Sequence, residues 1–426
     1  MTAVEDSGRP QRRLQDRGFT PSSLLWGLIV SGVVARIVVA FILGDQANPV
    51  SGAADQYTYD ALAQRFVGGH GFSFAEGWYP FTQPNEPTAH WSYLYTLYLA
   101  AVYVVFGHHP LVARLIQVLV STLNIWLTFR LTRTLFGQPA GLAAAALHAA
   151  YAYFVFFNAA LMTQSFYMLA VLAAMVLALR LCRRSARRDW LLLGLALGTG
   201  TLLRQTLLLF APILLGWIAW TSTRRSRASD LALTVGSMAV LILPWTVYNY
   251  RTFGDFLLLN SNGGFWFYSS NHPSQGTHFD PDYAAPLPER LRGLTEPAID
   301  RALYREAMGF IVADPLRFLR LTLSRIPQYF WLLPSGRSSW ISNLARLCSF
   351  TLYLPLMLWG LFVSRRHWRA CLPLYLYVGF DSALHLTSWA APRYRLPSDA
   401  LLMVFAGVAV AQLAAWTWKG ARVAAA

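Results

Sequence analysis

The 426-residue chain is 55% hydrophobic and only 13% charged, a balance too apolar for the two or three soluble domains its length could otherwise hold. Its net charge of +15 rests on 35 cationic residues, with Lys419 the only Lys, and these fall in short clusters between apolar runs. That arrangement marks membrane topology and excludes a nucleic-acid footprint. Cys182, Cys348 and Cys371 are odd in number and lie in or beside apolar helices, which excludes a disulfide framework. No Cys or His spacing suits a metal.

Taken in order, residues 1–22 form a polar tail with Arg9, Arg12, Arg13 and Arg17, predicted to be cytoplasmic. Residues 24–43 are too long and lack the small-residue cleavage site of a signal peptide, so they are read as the first span, running outward. A first external loop covers 45–110. Within it, Tyr57 to Phe66 has helical spacing with one apolar face, as for a helix lying in the interface, and Gly68-Gly69-His70-Gly71 ends it. Residues 91–106 are apolar and aromatic but short, and the charges decide whether they cross. If they do not, spans at 111–131, 140–157, 164–181, 190–203, 206–220 and 231–247 place the Arg clusters at 183–188 and 224–227 inside, as the positive-inside tendency requires. The non-crossing reading follows.

Residues 249–342 form a second external region, rich in Pro, Gly, Asn and Ser up to Pro297 and so mostly loop. Helices are predicted over 299–310 and 316–330, the second interfacial because Arg317, Arg320 and Arg325 ride on an apolar pattern. Spans at 344–363, 372–386 and 398–416 complete the chain. The expectation is an all-α transmembrane bundle of about ten spans within residues 23–418, with a short cytoplasmic tail at 419–426 and no internal repeat.

Asp55 begins the interfacial segment of the first loop, just outside the first span. An isolated Asp there is most simply a solvated charge, but Arg114, Arg204, Arg251, Arg393 and Arg395 map to the same outer side. Cations on that side at helix ends need a reason. A bound phosphate is one, because Arg pairs with phosphate oxygens bidentately; capping of helix-end carbonyls is the other. Asn262-Gly263-Gly264 would let backbone approach a ligand or form an ordinary Asn-Gly turn, and the segment alone favours the turn. His90, His108, His109 and His148 read as interfacial or core residues. Trp78, Tyr79, Trp91, Tyr93 and Tyr95 read as an interface belt.

An ordered series of features resembles the C-type (GT-C) glycosyltransferases, in particular bacterial relatives of protein O-mannosyltransferases and the lipid A aminoarabinose transferase. The series opens with Asp55-Gln56, Tyr59, Ala63 and Gly69-His70-Gly71-Phe72, then Pro87-Thr88-Ala89, Phe106-Gly107, Arg114 and Leu135-Phe136-Gly137. It continues through Leu202-Leu203-Arg204, Leu243-Pro244-Trp245 with Asn249 and Gly254, and Asn262-Gly263-Gly264 with Asn271 and Pro273. Arg393-Tyr394-Arg395-Leu396-Pro397 closes it. The chain departs from the pattern at Met162-Thr163-Gln164-Ser165, where relatives often carry an acidic residue, and lacks the Lys some carry near Glu86-Pro87.

The resemblance implies a bacterial inner-membrane, cell-envelope transferase with its site facing the exterior. It would move a sugar from a polyprenyl-phosphate carrier to an acceptor hydroxyl, with inversion. Asp55 would be the base or acceptor-orienting carboxylate. Arg204, Arg251, Arg393 and Arg395 would bind the donor phosphate, and Gln56, Tyr59, His90, Gln164, Asn262 and Gly263 are substrate-pocket candidates. No obligate metal cofactor is expected, and the partners are the lipid-linked donor, the bilayer and an acceptor that could be protein, lipid or polysaccharide. A glycolipid flippase or a non-catalytic homologue is the alternative. The flippase would call for broken helices and midplane ionisable residues, whereas the charged residues cluster at one face and the mid-span segments lack carboxylates apart from Asp381.

Overall fold

The computed structural model describes residues 20–50, 52–78, 82–184, 186–222, 228–332 and 339–423. Residues 1–19 of the basic tail, Tyr79, the Arg cluster at 224–227 and the last three residues lie outside them. Helix α1 (Pro21–Leu43) starts where the Thr20 hydroxyl accepts the Ser23 amide at 3.2 Å, with Pro21 in the first turn. It stops at Gly44, whose φ of 66° suits glycine. Trp26, Val30, Val34, Val38 and Phe41 form an exposed apolar stripe along it, the face a bilayer would cover.

The first loop then holds α2 (Asp55–Val67) and α3 (Tyr93–Phe106), followed by α4 (Pro110–Phe136), α5 (Gln138–Ala150), α6 (Ala152–Ala159), α7 (Gln164–Arg183), α8 (Arg187–Leu203), α9 (Thr206–Thr221) and α10 (Ala228–Phe253). The second region contributes α11 (Gly263–Asn271), α12 (Glu296–Ala313) and α13 (Pro315–Phe330). The chain closes with α14 (Trp340–Arg346), α15 (Leu352–Ser364), α16 (Trp368–Thr387) and α17 (Leu396–Val423). Among the described residues the only β-pairing is two isolated bridges, Ser73–Pro87 and Trp78–Thr82. The protein is an all-α, multi-pass membrane protein.

Six segments are long and apolar enough to cross a membrane, or seven if α5 and α6 count as one bent span. The ten crossings expected from the sequence are not shown. Helices α3 and α9 are apolar but short, α8 opens on Arg187, Arg188 and Asp189, and Trp340–Thr387 passes as one segment of 48 residues. Two further expectations are corrected. The span expected at 140–157 breaks at Tyr151 with a bend of 55°. Buried Arg36 of α1 takes the carbonyls this break frees, donating from Nη1 to Ala149 at 3.0 Å and from Nη2 to His148 at 3.4 Å. The region expected to be loop up to Pro297 contains α11. There Asn262-Gly263-Gly264 starts a helix instead of making a turn, Gly264 admitting close contact with Asp300 of α12.

Close helix contact in a bilayer relies on small residues, because lipid offers no hydrophobic drive between helices. Helices α8 and α10 meet at Gly194, where an added Cβ would lie 2.0 Å from Ser237 Oγ and 2.4 Å from the Thr234 carbonyl. Gly216 of α9 faces open space. Gly194→Ala should therefore cost about 1–3 kcal/mol and lower the unfolding midpoint in detergent by several degrees. Gly216→Ala should leave it unchanged or raise it.

Candidate active site

Helix α2 begins at Asp55 and buries Tyr59, Leu62 and Ala63 beneath it. The Asp55 carboxylate is 40% exposed and pairs with Arg393 at 3.0 Å. Arg393 reaches Asp55 from the short 3-10 turn Pro392–Arg395 that precedes α17, and also donates to the Gly52 carbonyl at 3.3 Å. Two distant parts of the sequence are thus locked together at this point.

Tyr394 extends the site. Its ring lies 5.1 Å from the Arg393 guanidinium and 5.0 Å from that of Arg204, so both cations flank one aromatic face system. Arg204 stands where α8 ends and α9 has yet to begin, 5.6 Å from the Tyr167 ring and 3.4 Å from Thr163 Oγ1. Beneath Tyr394, His385 stacks at 4.7 Å with planes 11° apart. Asp381 sits 3.7 Å from His385 and accepts Ser398 Oγ at 2.6 Å. Neither Tyr394 nor His385 was singled out from sequence; the only signal was Tyr394 lying between two arginines.

The other candidates sort by what they bond. Arg395 is buried and largely committed: it pairs with Asp399 at 2.8 Å and donates from Nη1 to the carbonyls of Tyr329 and Phe330, leaving only Nη2 without a partner. Arg114 likewise serves carbonyls of Gly44, Gln46 and Ala159 and holds Gln56 Oε1 at 3.2 Å. Gln56 is therefore tied to the framework, its amide also donating to Asn48. Arg251 is exposed at the end of α10 and is not brought to Asp55. Tyr59 lies under the site, its hydroxyl 3.4 Å from the Ser92 amide and its ring 4.9 Å from Tyr95.

Gln164 opens α7 beside Thr163, fully buried, and neither atom of its amide has a hydrogen-bond partner. His90 is buried in the first loop, where burial pushes its imidazole down to about 4 against the pull of Asp55, so it is neutral at pH 7. Its carbonyl accepts Asn262 Nδ2 at 3.0 Å, and Gln205 donates to Asn262 Oδ1 at 3.1 Å. Gly263 follows, near Gln205. Asn262 and Gly263 thus adjoin the Arg204 end of the site through backbone and amide contacts.

Two carboxylates missed from sequence hold that loop. Glu296 Oε1 accepts the Ala89 amide at 2.9 Å, Thr88 Oγ1 at 3.2 Å and the Ser261 hydroxyl. One turn along α12, Asp300 accepts the Gly264 amide at 2.7 Å. Their four-residue spacing ahead of an apolar helix was the only available signal. Among the described residues no group of three or more His, Cys, Asp or Glu side chains is placed to hold a metal.

An apolar groove of about 510 Å³ runs between α3, α7 and α8, lined by Tyr95, Tyr98, Phe166, Leu169, Leu192 and Leu203 among others. Its upper residues adjoin the site: Leu203 precedes Arg204, Phe166 lies two residues after Gln164, and Tyr95 packs on Tyr59.

The fold is similar to those of solved membrane oligosaccharyltransferases, and part of the sequence matches a known family. Residues 91–248 match the family described as dolichyl-phosphate-mannose-protein mannosyltransferase, a segment that includes Gln164 and Arg204 but not Asp55 or Arg393. The oligosaccharyltransferase of Archaeoglobus fulgidus, solved with a tethered acceptor peptide, superposes with a TM-score of 0.56 at 14% identity over 90% of this chain. ArnT of Cupriavidus metallidurans, solved with undecaprenyl phosphate, gives 0.51 at 15% identity over 90%. The A. fulgidus enzyme AglB bound to an inhibitory peptide and dolichol-phosphate gives 0.51 at 14% identity over 89%. The chain spans 49% of the first of these proteins, 60% of ArnT and 50% of AglB. No curated protein sequence matches it.

The clamp carries a pH dependence. Burial pushes Glu296 up from 4.5 to about 7, against the pull of Ser261, Ala89 and Thr88. A raised carboxyl value favours the neutral folded form, so this stabilisation is present below about pH 4.5 and is lost as pH rises through 7. The loss amounts to about 3 kcal/mol. Thermal unfolding measured from pH 5 to pH 8 should show this decline in the native protein and a flatter profile in Glu296→Gln.

Proposed function

We propose that the protein is a glycosyltransferase that moves a sugar from a polyprenyl-phosphate carrier to an acceptor hydroxyl at the membrane surface. The observation that supports this best is the Asp55–Arg393 pair, joined through Tyr394 to Arg204, at the head of an apolar groove. A carrier lipid needs those two things together, an apolar channel for its chain and cations for its phosphate. The Arg-rich end of the bundle would be cytoplasmic and the Asp55 end would face the exterior of a bacterial inner membrane. Ten crossings would result if α8, α9 and the two halves of Trp340–Thr387 each span.

The carrier's chain would lie along Tyr98, Phe166 and Leu192, and its phosphate would meet Arg204 and Arg393. Asp55, partly exposed, would take the proton from the acceptor hydroxyl as that oxygen attacks the anomeric carbon. The bond to the carrier oxygen breaks, and the two guanidinium groups stabilise the charge that grows on the departing phosphate. Attack from the face opposite the phosphate gives inversion. The Gln164 amide would meet sugar hydroxyls; leaving it without a partner costs about 1–3 kcal/mol, which a bound sugar would offset. Arg395 would act at a distance, its pair with Asp399 fixing the turn that carries Arg393. No metal is assigned a step.

Transfer assayed in proteoliposomes, with radiolabelled polyprenyl-phosphate sugars and a membrane extract as acceptor source, tests the reading. Asp55→Asn should lower turnover about 10²–10⁴-fold, at matched protein level, with donor binding retained. Arg204→Gln and Arg393→Gln should each lower turnover about 10²-fold or more. Full turnover in Asp55→Asn would remove the base assignment. Label that crosses the bilayer without leaving the carrier, indifferent to Asp55, would replace the transferase with a flippase.

A further inference from the structure

The end of the bundle opposite Asp55 carries a second groove, of about 500 Å³, where the last turns of α4, α7 and α9 meet the first turn of α16. Leu135, Leu179, Trp217 and Trp220 form its apolar walls, and Arg183 and Arg369 stand on it. Arg183 donates once, from Nη2 to the Thr134 carbonyl at 3.1 Å, and Arg369 lies 5.6 Å from the Trp368 ring. None of the residues lining the groove is acidic, and Arg184, Arg365 and Arg366 are exposed nearby in the chain. Among the described residues neither arginine has a carboxylate partner, so the site combines cations and an apolar wall.

Trp217 supplies an independent sign. It is 5% exposed, lines the groove, and its indole Nε1–H has no hydrogen-bond partner. A buried donor left unmade costs free energy, whereas the same donor facing an ester or phosphate oxygen is satisfied. A free phosphate would use the arginines and leave the wall unfilled; a neutral lipid would fill the wall and leave the arginines unpaired. An amphiphile with an anionic head satisfies both, and basic pockets between membrane helices bind such head groups.

We infer that this groove is a binding site for an anionic glycerophospholipid, with its phosphate between Arg183 and Arg369 and one acyl chain along Leu135, Leu179, Trp217 and Trp220. The site is separate from the Asp55 site and does not depend on the transferase reading. Bound lipid would tie α4, α7, α9 and α16 together at the end of the bundle remote from the chemistry.

Native mass spectrometry of the full chain in detergent tests it, with phosphatidylglycerol, phosphatidylcholine, undecaprenyl phosphate and inorganic phosphate supplied in equal amounts. Phosphatidylglycerol should be retained about tenfold over phosphatidylcholine. Each of Arg183→Gln and Arg369→Gln should lower retention about fivefold, in protein that remains monodisperse. Trp217→Phe, which keeps the wall and removes the N–H, should lower it by a smaller factor, and Arg204→Gln should not change it. Equal retention of the two phospholipids, or retention indifferent to Arg183 and Arg369, would overturn the site. Preference for undecaprenyl phosphate, or displacement by inorganic phosphate at equal concentration, would overturn the choice of glycerophospholipid.

Discussion

Backbone groups inside a bilayer have no water to turn to, so every carbonyl freed by a helix break must find a donor within the protein. This chain breaks its helices near Tyr151, Trp331 and Ser388, and arginines fill the gaps. Arg36 serves the carbonyls before Tyr151, Arg395 those of Tyr329 and Phe330, and Arg325 those of Ser270 and Leu386. Arg114 ties the residues after α1 to the end of α6. Four buried cations are thereby spent on architecture, as expected for charges that persist at membrane depth only when paired or bonded to carbonyls.

The same accounting isolates the site. The Arg204 side chain faces the Tyr167 and Tyr394 rings and Thr163. Arg393 gives one bond to Gly52 and otherwise faces Asp55 and Tyr394. These two face rings, a hydroxyl and a carboxylate, whereas Arg114 gives its donors to carbonyls and Gln56 and Arg395 leaves only Nη2 without a partner. Their placement depends on the spent arginines, because Arg395 and Asp399 anchor the turn from which Arg393 projects. Structural and chemical arginines are therefore neighbours in sequence and differ only in what surrounds them.

The loops over the site are held by carboxylates. Glu296 and Asp300 lie on the first turns of α12 and accept amides from segments near Ala89 and Gly264, joining the first long loop to the second. Helices α12 and α13 turn outward faces that include Tyr304, Met308 and Val312, and Leu316, Leu319 and Leu323, at the three- and four-residue spacing of helices that lie on a bilayer. This region thus presents an apolar face on one side and is held by buried hydrogen bonds on the other.

Much of the architecture was legible in the sequence, because apolar length and the spacing of polar residues act locally. The class, the first span, α2 with its glycine stop, α12 and α13 all follow from such patterns, and the motif series pointed to the C-type transferases. The bend at Tyr151 was not legible, since no proline or glycine marks it and the carbonyls before it are taken by Arg36, more than a hundred residues away. Helix α11 was hidden by Asn and Gly residues that usually make turns and here pack against α12. Which arginines remain available, which carboxylate clamps the loops, and that Tyr394 stands between Arg204 and Arg393 were decided only by the tertiary structure. A side chain's chemistry is set by the partners it finds, and for these residues the partners come from distant parts of the chain.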